Sequence, residues 1–542
     1  MRLSLLAVVP VLVVACSTFG SDDNGGSSGP GPGAGEDSGL DPVTGTAADE
    51  ALLFNALPKD PVFVTQGSSA KITLNIVRGR NVPDPITVTV EGLPTGVATP
   101  LLQFGIGEAK ADLVIQAAGD AAQGAIHAKV RATSGKLTTV TAIELFVRGA
   151  PGALDTTFGD KGFAGPLVGD GKANFPTDLK VLTDGRILAI GQCNVVQTTV
   201  VNIASATCVI RLSTDGQRDT SYGAGGISSI ALSMPVKAAP ASNGRIVVLG
   251  GGDSVEETNK VRLARLNADG TRDTTFGVNG VCEPLAGPAG TTFLAGAVDL
   301  VARPTDGSLF AEFTYKASSP YMIGILKVGP NCESAPSFGD AGVVGVSWST
   351  STRPLGLVLR GEAPIVTGRA HVDSPTFGTA QLDGSTGGLD LGFGTSGLLT
   401  WSAASKPANA FTQFSGVVVL PTGAVVGNFP LANGFALTSI DPGGKALSPG
   451  FATSGAVSVT TTGTPTDLVR QADGKLLVNI SASGTADVRR FSASGAPDSG
   501  FGKAGTFADA RFSSKRVALQ NDGRIVVLGQ FGKDLALVRL WN

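Results

Sequence analysis

The sequence has few charged residues and few histidines and cysteines. Only 16% of its 542 residues are Asp, Glu, Lys or Arg, and their formal charges sum to -3. Nucleic-acid binding needs a concentrated cationic field, so this balance argues against a nucleic-acid partner. With two histidines, five cysteines and no C-x-x-C spacing, the sequence also gives no metal-ligand pattern, and we predict no metal and no cofactor.

Long hydrophobic runs are also missing. No stretch reaches the ~20 residues that a membrane-spanning helix needs. The apolar stretch 3–14 follows Arg2 and has the length of an export signal. It leads into Val13-Val14-Ala15-Cys16, which resembles the lipobox of bacterial lipoproteins. The resemblance implies a signal peptide over residues 1–16 and a lipid on Cys16. Ser17 then implies sorting to the outer membrane, with a periplasmic or surface-exposed body. The alternative is an ordinary cleaved signal in which Cys16 has no role.

The remainder divides into three regions. Residues 17–49 are rich in Gly, Ser, Pro and Asp and lack the apolar content needed to order them, so they are predicted to form a flexible tether. Residues 50–149 alternate polar and apolar residues between short turns, which predicts a small β-sandwich. The run Gly92-Leu93-Pro94-Thr95-Gly96-Val97 resembles the immunoglobulin-like modules of bacterial surface proteins, which implies a spacer or adhesive unit.

Residues 150–542 contain a repeat, marked by a tight turn before an apolar strand and later by an aromatic-glycine step. The turns are Asp184-Gly185, Asn243-Gly244, Asp306-Gly307, a degraded Gly361-Glu362, Thr422-Gly423, Asp473-Gly474 and Asp522-Gly523. The aromatic steps are Phe158-Gly159, Tyr222-Gly223, Phe276-Gly277, Phe338-Gly339, Phe393-Gly394, Phe451-Ala452 and Phe501-Gly502. Asp-Gly is typical of primed hairpin turns, since both residues tolerate positive φ. A period of about 56 residues with four strands per repeat predicts an all-β propeller.

The array begins with the end of one repeat and stops with the start of another. The segment 154–159 has no three strands before it, and 536–540 has no aromatic step after it. If strands from both segments share one sheet, the ring closes and no sheet edge is left free. We therefore predict seven blades, with Arg539 facing the region of Asp155.

Two stretches carry a family resemblance. Residues 261–280 (VRLARLNADGTRDTTFGVNG) and 517–529 (VALQNDGRIVVLG) resemble the delta-60 repeat family of bacterial exported proteins. The resemblance implies a β-propeller. It implies no catalytic residue, and fold alone does not give function.

Four cysteines remain besides Cys16, an even number suited to an oxidising compartment. Cys193 ends one apolar strand and Cys208 begins the next, so a hairpin would bring them together. Cys282 and Cys332 bracket one repeat, and a bond between them would tie its outer edge. We predict both disulfides.

Charged residues recur at fixed positions in the repeats. A cation lies eleven residues before the aromatic residue and an acid three residues before it; the clearest examples are Arg211 with Asp219, Arg265 with Asp273, Arg490 with Asp498, and the split pair Arg539 with Asp155. A binding site rarely needs so many copies. We therefore interpret these residues as structural salt bridges.

No catalytic constellation is recognisable, so the sequence favours a non-enzymatic lipoprotein whose propeller binds a protein or polysaccharide partner. Four insertions between second and third strands, at 195–207, 254–260, 317–321 and 373–377, are predicted to share the binding face. The alternative is a hydrolase or lyase with a carboxylate-lined central site.

Overall fold

The computed structural model describes residues 51–542 except 84, 198–201, 204–205, 231, 252–260, 284–296, 316–321, 350–351, 371–375, 403–415, 453 and 483. Cys16 and the tether 17–49 lie outside the described residues. The described chain is built of strands, with one 3-10 turn at Ser242–Gly244 and no α-helix. Consequently, the described part contains no helix that could cross a bilayer.

The first region forms two antiparallel-rich sheets packed around one core. Their nine strands are β1 (Leu52–Ala56), β2 (Val62–Thr65), β3 (Ser69–Arg78), β4 (Ile86–Glu91), β5 (Val97–Ala98), β6 (Leu102–Phe104), β7 (Lys110–Ala117), β8 (Gly124–Ser134) and β9 (Leu137–Arg148). One sheet has the order β1-β3-β7-β5 and the other β2-β9-β8-β4-β6. Alternate residues of β3 and β8 point into the shared core, as the period-2 pattern of the sequence requires.

Residues 150–542 form seven further sheets of four main strands, here called units 1 to 7. The chain enters this region through β10 (Phe163–Ala164), which belongs to unit 7. Unit 1 is β11 (Ala173–Val181), β12 (Ile187–Gln197), β14 (Ala206–Leu212) and β15 (Ile227–Ile230), with β13 (Asn202–Ile203) beside β12. Unit 2 is β16 (Ser233–Pro240), β17 (Ile246–Gly251), β18 (Arg262–Leu266) and β19 (Val281–Cys282).

Units 3 to 6 repeat the same antiparallel order. Unit 3 is β20 (Ala297–Ala302), β21 (Leu309–Tyr315), β22 (Met322–Val328) and β23 (Val343–Val346), and unit 4 is β24 (Arg353–Arg360), β25 (Ala363–Arg369), β26 (Thr376–Gln381) and β27 (Leu398–Ser402). Unit 5 is β28 (Val417–Val419), β29 (Val425–Leu431), β30 (Gly434–Ile440) and β31 (Ala456–Thr460). Unit 6 is β32 (Thr464–Arg470), β33 (Leu476–Ala482), β34 (Thr485–Phe491) and β35 (Thr506–Asp509).

Unit 7 combines strands from distant parts of the chain. It consists of β36 (Ser513–Leu519), β37 (Ile525–Phe531), β38 (Asp534–Leu540) and the early strand β10. Phe163 pairs with Val538 and Ala164 with Leu537. The first strands of the units contact one another in a closed cycle, from β11 through β16, β20, β24, β28 and β32 to β36, which contacts β11 again. Apolar clusters lie between neighbouring units, so each sheet is buried from both sides.

The Asp-Gly hairpin turns differ from the sequence-based prediction, whereas Asn243 and Gly244 both have the predicted positive φ, at +61° and +70°. Gly185 has φ +83°, but Asp184 does not have a positive φ. The N–H of Leu182 donates to Arg186 O and the N–H of Gly185 to Leu182 O, so three residues form the loop. Asp184 uses its carboxylate to accept the N–H of Arg186. The turn is therefore not a two-residue primed turn, because the aspartate serves as a side-chain acceptor instead of adopting positive φ.

Candidate binding surfaces

The recurring cation and acid meet at the corner between the third and fourth strands of a unit. In unit 2, Nε of Arg265 lies 2.7 Å from Oδ2 of Asp273, and the guanidinium lies 4.7 Å from the ring centre of Phe276. Asp273 also accepts hydrogen bonds from the N–H and the hydroxyl of Thr275. Burial acts to raise the pKa of Asp273, but the hydrogen bonds from Thr275 and Arg265 hold it below its usual range.

The same corner occurs in three other units. The Nε–Oδ2 distances are 2.7 Å for Arg211–Asp219, 2.8 Å for Arg490–Asp498 and 2.7 Å for Arg539–Asp155, and the guanidinium groups lie over Tyr222, Phe501 and Phe158. Hydrogen bonds from Ser221 and Arg211 lower the pKa of Asp219 to about 2 although burial opposes the shift. Arg539 and Asp155 are both fully buried, although 384 residues separate them.

The cations also reach into the next unit, a contact that sequence spacing did not indicate. Each donates to an acceptor two or three residues beyond the third strand of its neighbour. The pairs are Arg211 with Ala268 O, Arg265 with Pro330 O, Lys327 with Gly384 O, Arg490 with Asn542 Oδ1, and Arg539 with Thr214 O. We call these contacts interunit staples. They link neighbouring sheets through buried, charge-assisted hydrogen bonds.

Units 4 and 5 depart from this pattern. In unit 4, Gln381 takes the place of the cation and donates to Asp390, while Arg360 from the first strand contacts Pro442 O of unit 5. Arg360 thus supplies the staple from a different strand. In unit 5, Ser439 donates to Ser448 at 3.0 Å, and no cation among the described residues is seen to reach unit 6 from this corner.

A backbone contact accompanies the corner in every unit. The N–H of the residue after the aromatic donates to a carbonyl in the next unit, as from Gly159 to Asp215 O and from Ala452 to Ser494 O. The aromatic ring covers a glycine of that unit. At Gly216, φ is +81° and a Cβ atom would lie 2.7 Å from Phe158, so both conformation and space require glycine.

Both predicted disulfides are present. Cys193 and Cys208 join two strands of unit 1, although they are diagonal to each other because Cys193 lies opposite Ala206. Cys282, on the last strand of unit 2, is bonded to Cys332, in the loop after the third strand of unit 3. Cys332 has φ +76° at the place where most units have the glycine under the aromatic ring. This disulfide is therefore a covalent link between two units.

Three aspartates lie on first strands, each directly after a β-bulge. Asp178, Asp299 and Asp467 each accept a backbone N–H from the next unit, at 2.7 Å from Ala238, 3.1 Å from Leu357 and 3.1 Å from Val517. Strand alternation gave no signal for these acids, because they lie within mostly apolar strands. Their carboxylates connect neighbouring first strands.

Asp178 is the most heavily paired of these three aspartates. Lys180 lies 3.0 Å away, with Arg516 at 3.8 Å and Lys237 at 3.9 Å. Burial alone would raise the pKa of Asp178, yet the three cations lower it. Nearby Lys515 is half-buried beside Arg516 and Lys237, and its pKa falls to about 8 because desolvation and these cations disfavour its charge.

Glu312 is a buried acid without a hydrogen-bond partner in the described structure. It lies on β21 opposite Asp299, and neither carboxyl oxygen is paired. Burial, helped by the charge of Asp299, raises its pKa well above the usual range. The same strand position holds Ile190 in unit 1 and Leu249 in unit 2. The structure therefore favours the protonated form of Glu312, at a position that units 1 and 2 fill with an apolar side chain.

A cavity of about 920 Å³ opens at the face that carries the hairpin turns. Lys180, Ser242, Arg303, Thr305 and Asn331 are among its lining residues. Arg303 is paired with Asp306 and lies 3.4 Å from Glu362, so its charge is already balanced.

The predicted binding insertions connect second to third strands and thus leave the sheets at the opposite face. Residues 254–260 and 317–321 lie outside the described residues, as do 198–201, 204–205 and 373–375 of the other two predicted insertions. Trp348 packs against Gly378, and Trp401 stacks on Phe377 at 6.1 Å, so both rings fill space between or within sheets. Across the described chain no group of three or more His, Cys, Asp or Glu side chains is arranged to hold a metal ion.

Comparison with known proteins gives a family model and several distant structures. The model described as "Domain of unknown function (DUF5122) beta-propeller" matches residues 182–222 and 241–276, within units 1 and 2. No curated protein matches the chain.

Among solved structures, a quinonprotein alcohol dehydrogenase-like protein from Bacteroides thetaiotaomicron is 11% identical over 83% of this chain and 95% of its own, with a TM-score of 0.35. Prolyl oligopeptidase B from Galerina marginata is 10% identical over 75% of this chain and 54% of its own, with a TM-score of 0.39. The chain thus spans about half the length of that peptidase. These scores support no statement about function. The family match and the sheet topology together identify the fold of this chain as a β-propeller.

Proposed function

We propose that the chain is a cell-envelope lipoprotein, anchored in the outer membrane through Cys16, that binds a protein or polysaccharide partner without catalysing a reaction. Residues 17–49 serve as tether, and 50–149 form an immunoglobulin-like spacer. Residues 150–542 form a seven-bladed propeller with delta-60 repeats. The two disulfides support export to an oxidising compartment.

The observation that carries the binding role is the arrangement of the loops around the closed cycle of units. Hairpin turns and third-to-fourth strand connections lie at one face, and second-to-third strand connections lie at the other. The sandwich contacts the first of these faces through Leu154, Thr156 and Trp541. The described strand ends that flank the insertions therefore lie on the face opposite the sandwich, which supports this face as the one that meets a partner.

The binding face is tested by exchanging loops. Residues 254–260 are replaced by a Gly-Ser linker of equal length, and the control variant carries a Gly-Ser replacement at the exposed turn 135–136 of the sandwich, away from the proposed binding face. Photo-crosslinking in intact cells should give a defined adduct that disappears in the first variant and persists in the control. An adduct that is unchanged by the loop exchange would contradict the assignment.

The anchor is tested separately. Cys16→Ala should abolish palmitate labelling and release the chain from the membrane fraction, while Ser17→Ala should leave labelling intact. A mature N-terminus other than residue 16, identified by mass spectrometry, would refute lipidation.

The alternative, a hydrolase or lyase with a carboxylate-lined centre, draws on Asp178, Asp299 and Asp467. Against it, each carboxylate already accepts a backbone N–H from the next unit. Asp299→Asn should therefore lower the unfolding temperature without changing partner crosslinking. An activity on envelope polymers that this variant loses while remaining folded would favour the enzyme.

A further inference from the structure

A second cleft lies between the sandwich and the ring of units, with a volume of about 740 Å³. Phe63, Phe146 and Arg148 line it from the sandwich, and Asp215, Asp522 and Trp541 line it from the ring. The volume is within the range of clefts that hold small ligands. We call it the interdomain cleft.

Three aromatic rings follow one another along the interdomain cleft. The ring centres of Phe63 and Phe146 are 5.8 Å apart, and those of Phe146 and Trp541 are 6.0 Å apart. Trp541 is buried, whereas Phe63 is 53% exposed. The contact between the two regions thus covers the inner end of the row and leaves Phe63 accessible to a ligand.

Hydrogen-bonding groups with balanced charge surround these rings. Arg148 is exposed, lies 5.8 Å from the Phe63 ring centre and is oriented by a hydrogen bond from its Nε to Thr65 Oγ1. The Asp215 side chain is 66% exposed, and Asp522 is paired with Arg524. The positive charges of Arg148 and Arg524 balance the negative charges of Asp215 and Asp522. The interdomain cleft therefore has no net electrostatic field that would select a strongly charged polymer.

The walls of the interdomain cleft are fixed by Gln123. Its Oε1 accepts from Trp541 Nε1 at 2.9 Å and from the N–H of Thr156 at 2.8 Å. Its Nε2 donates to Leu154 O and to Gln66 Oε1. One side chain therefore joins the sandwich to both chain segments that close the ring, which holds the cleft in one shape before a ligand arrives.

We propose that the interdomain cleft binds a segment of neutral polysaccharide. A sugar ring presents an apolar face of C–H groups, which matches the accessible ring of Phe63, and a rim of hydroxyls, which matches Arg148 and Asp215 as donor and acceptor. An extended peptide would instead need pockets for alternate side chains, and a polyanion would need a net positive cleft. The site rests on the proposed binding role but is separate from the loop face and from Cys16.

The purified full-length chain is tested on an array of neutral and acidic oligosaccharides, and the affinity for the best neutral probe is measured by calorimetry. Phe63→Ala should weaken binding about tenfold, which corresponds to the loss of ~1.4 kcal/mol from one aromatic contact, and Phe63→Trp should retain it. The matched control is Phe531→Ala, which removes an equally exposed phenylalanine of unit 7 outside the interdomain cleft. Asp215→Asn should also weaken binding.

The proposal is overturned if no neutral oligosaccharide binds, if acidic probes or peptides bind better at Phe63, or if the Phe63→Ala and Phe531→Ala variants lose equal affinity. The Cys16→Ala and 254–260 variants should bind the probe normally. Their behaviour separates failure of this site from failure of the proposed anchor and loop face.

Discussion

Units 2 and 5 stabilise the same corner, between the third and fourth strands, with different side-chain contacts. In unit 2, Arg265 pairs with Asp273, covers an aromatic ring and reaches the next unit. In unit 5, Ser439 donates to Ser448 and the interunit staple is missing from the described contacts. The backbone hydrogen bond to the next unit is kept in both, at 3.3 Å from Gly277 and 2.7 Å from Ala452. The invariant element is thus the backbone contact, and the cation adds stability to it.

Arg539, which forms the staple at the ring closure, should matter most, because both it and its partner Asp155 are fully buried. Arg539→Ala leaves Asp155 buried with a single remaining cation, Arg524 at 3.1 Å. We expect a loss of about 3–5 kcal/mol in the free energy of unfolding. The control is Arg131→Ala, which breaks an exposed ion pair with Glu91 in the sandwich and should have a much smaller effect. Urea denaturation measures both, and equal losses would show that closure does not depend on this staple.

The covalent link between units 2 and 3 should rank next. Cys282→Ala with Cys332→Gly removes a crosslink over 50 residues and restores the glycine found in other units. We expect a loss of about 2–4 kcal/mol. Cys193→Ala with Cys208→Ala removes a crosslink within one sheet. Limited proteolysis should cut between units 2 and 3 in the first variant alone; identical digestion patterns would contradict an interunit role.

Glu312 gives a third contrast between units, since units 1 and 2 have the apolar residues Ile190 and Leu249 at the same strand position. Its pKa is raised in the folded state, so the folded chain binds the proton more tightly than the unfolded chain. The stability that it contributes is therefore present in acid and falls as pH rises above about 4.3, the unfolded value. Glu312→Leu should stabilise the chain by about 1–3 kcal/mol at pH 8 and less at pH 4.5. Calorimetry at both pH values measures this, and a pH-independent difference would refute the protonation argument.

The smallest effect concerns the interface without a staple. Ser439→Arg with Ser448→Asp introduces the pair of unit 2 into unit 5, where Ala493 O is the corresponding acceptor. We expect a gain of about 0.5–1 kcal/mol. The reciprocal Arg265→Ser with Asp273→Ser should lose more, because the surrounding structure has formed around that pair. If the unit 5 variant loses stability as well as the unit 2 variant, the corner of unit 5 cannot accommodate the guanidinium.

Sequence reasoning identified the repeat because its markers are local. Turn glycines and the aromatic-glycine step are fixed by backbone conformation, so the four strands predicted for each repeat correspond to the four main strands of each unit. Arg539 and Asp155 were placed together by the same periodicity. Contacts between units were harder to foresee. In unit 4 the cation that contacts the next unit is Arg360, which lies on the first strand and not on the third. A search for cations at a fixed spacing from the aromatic residue therefore could not reveal it.

The acids on first strands were also missed. Asp178, Asp299 and Asp467 interrupt apolar strands, and their N–H donors come from the neighbouring unit, which no local pattern encodes. Gln123 lies in a turn of the sandwich and has no sequence signal for its five hydrogen bonds. Its partners, at 154–156 and 541, meet only once the ring is closed.

The pairing of β10 with β38 has a consequence for biogenesis. Ribosomes and translocons deliver a polypeptide from its amino end, so Phe163 emerges hundreds of residues before Val538, with which it pairs. Until then unit 7 lacks β36, β37 and β38, so the apolar faces of units 1 and 6 that pack against it stay uncovered and the edge of β10 has no partner. Closure of the ring therefore has to wait for the last strands of the chain to be synthesised.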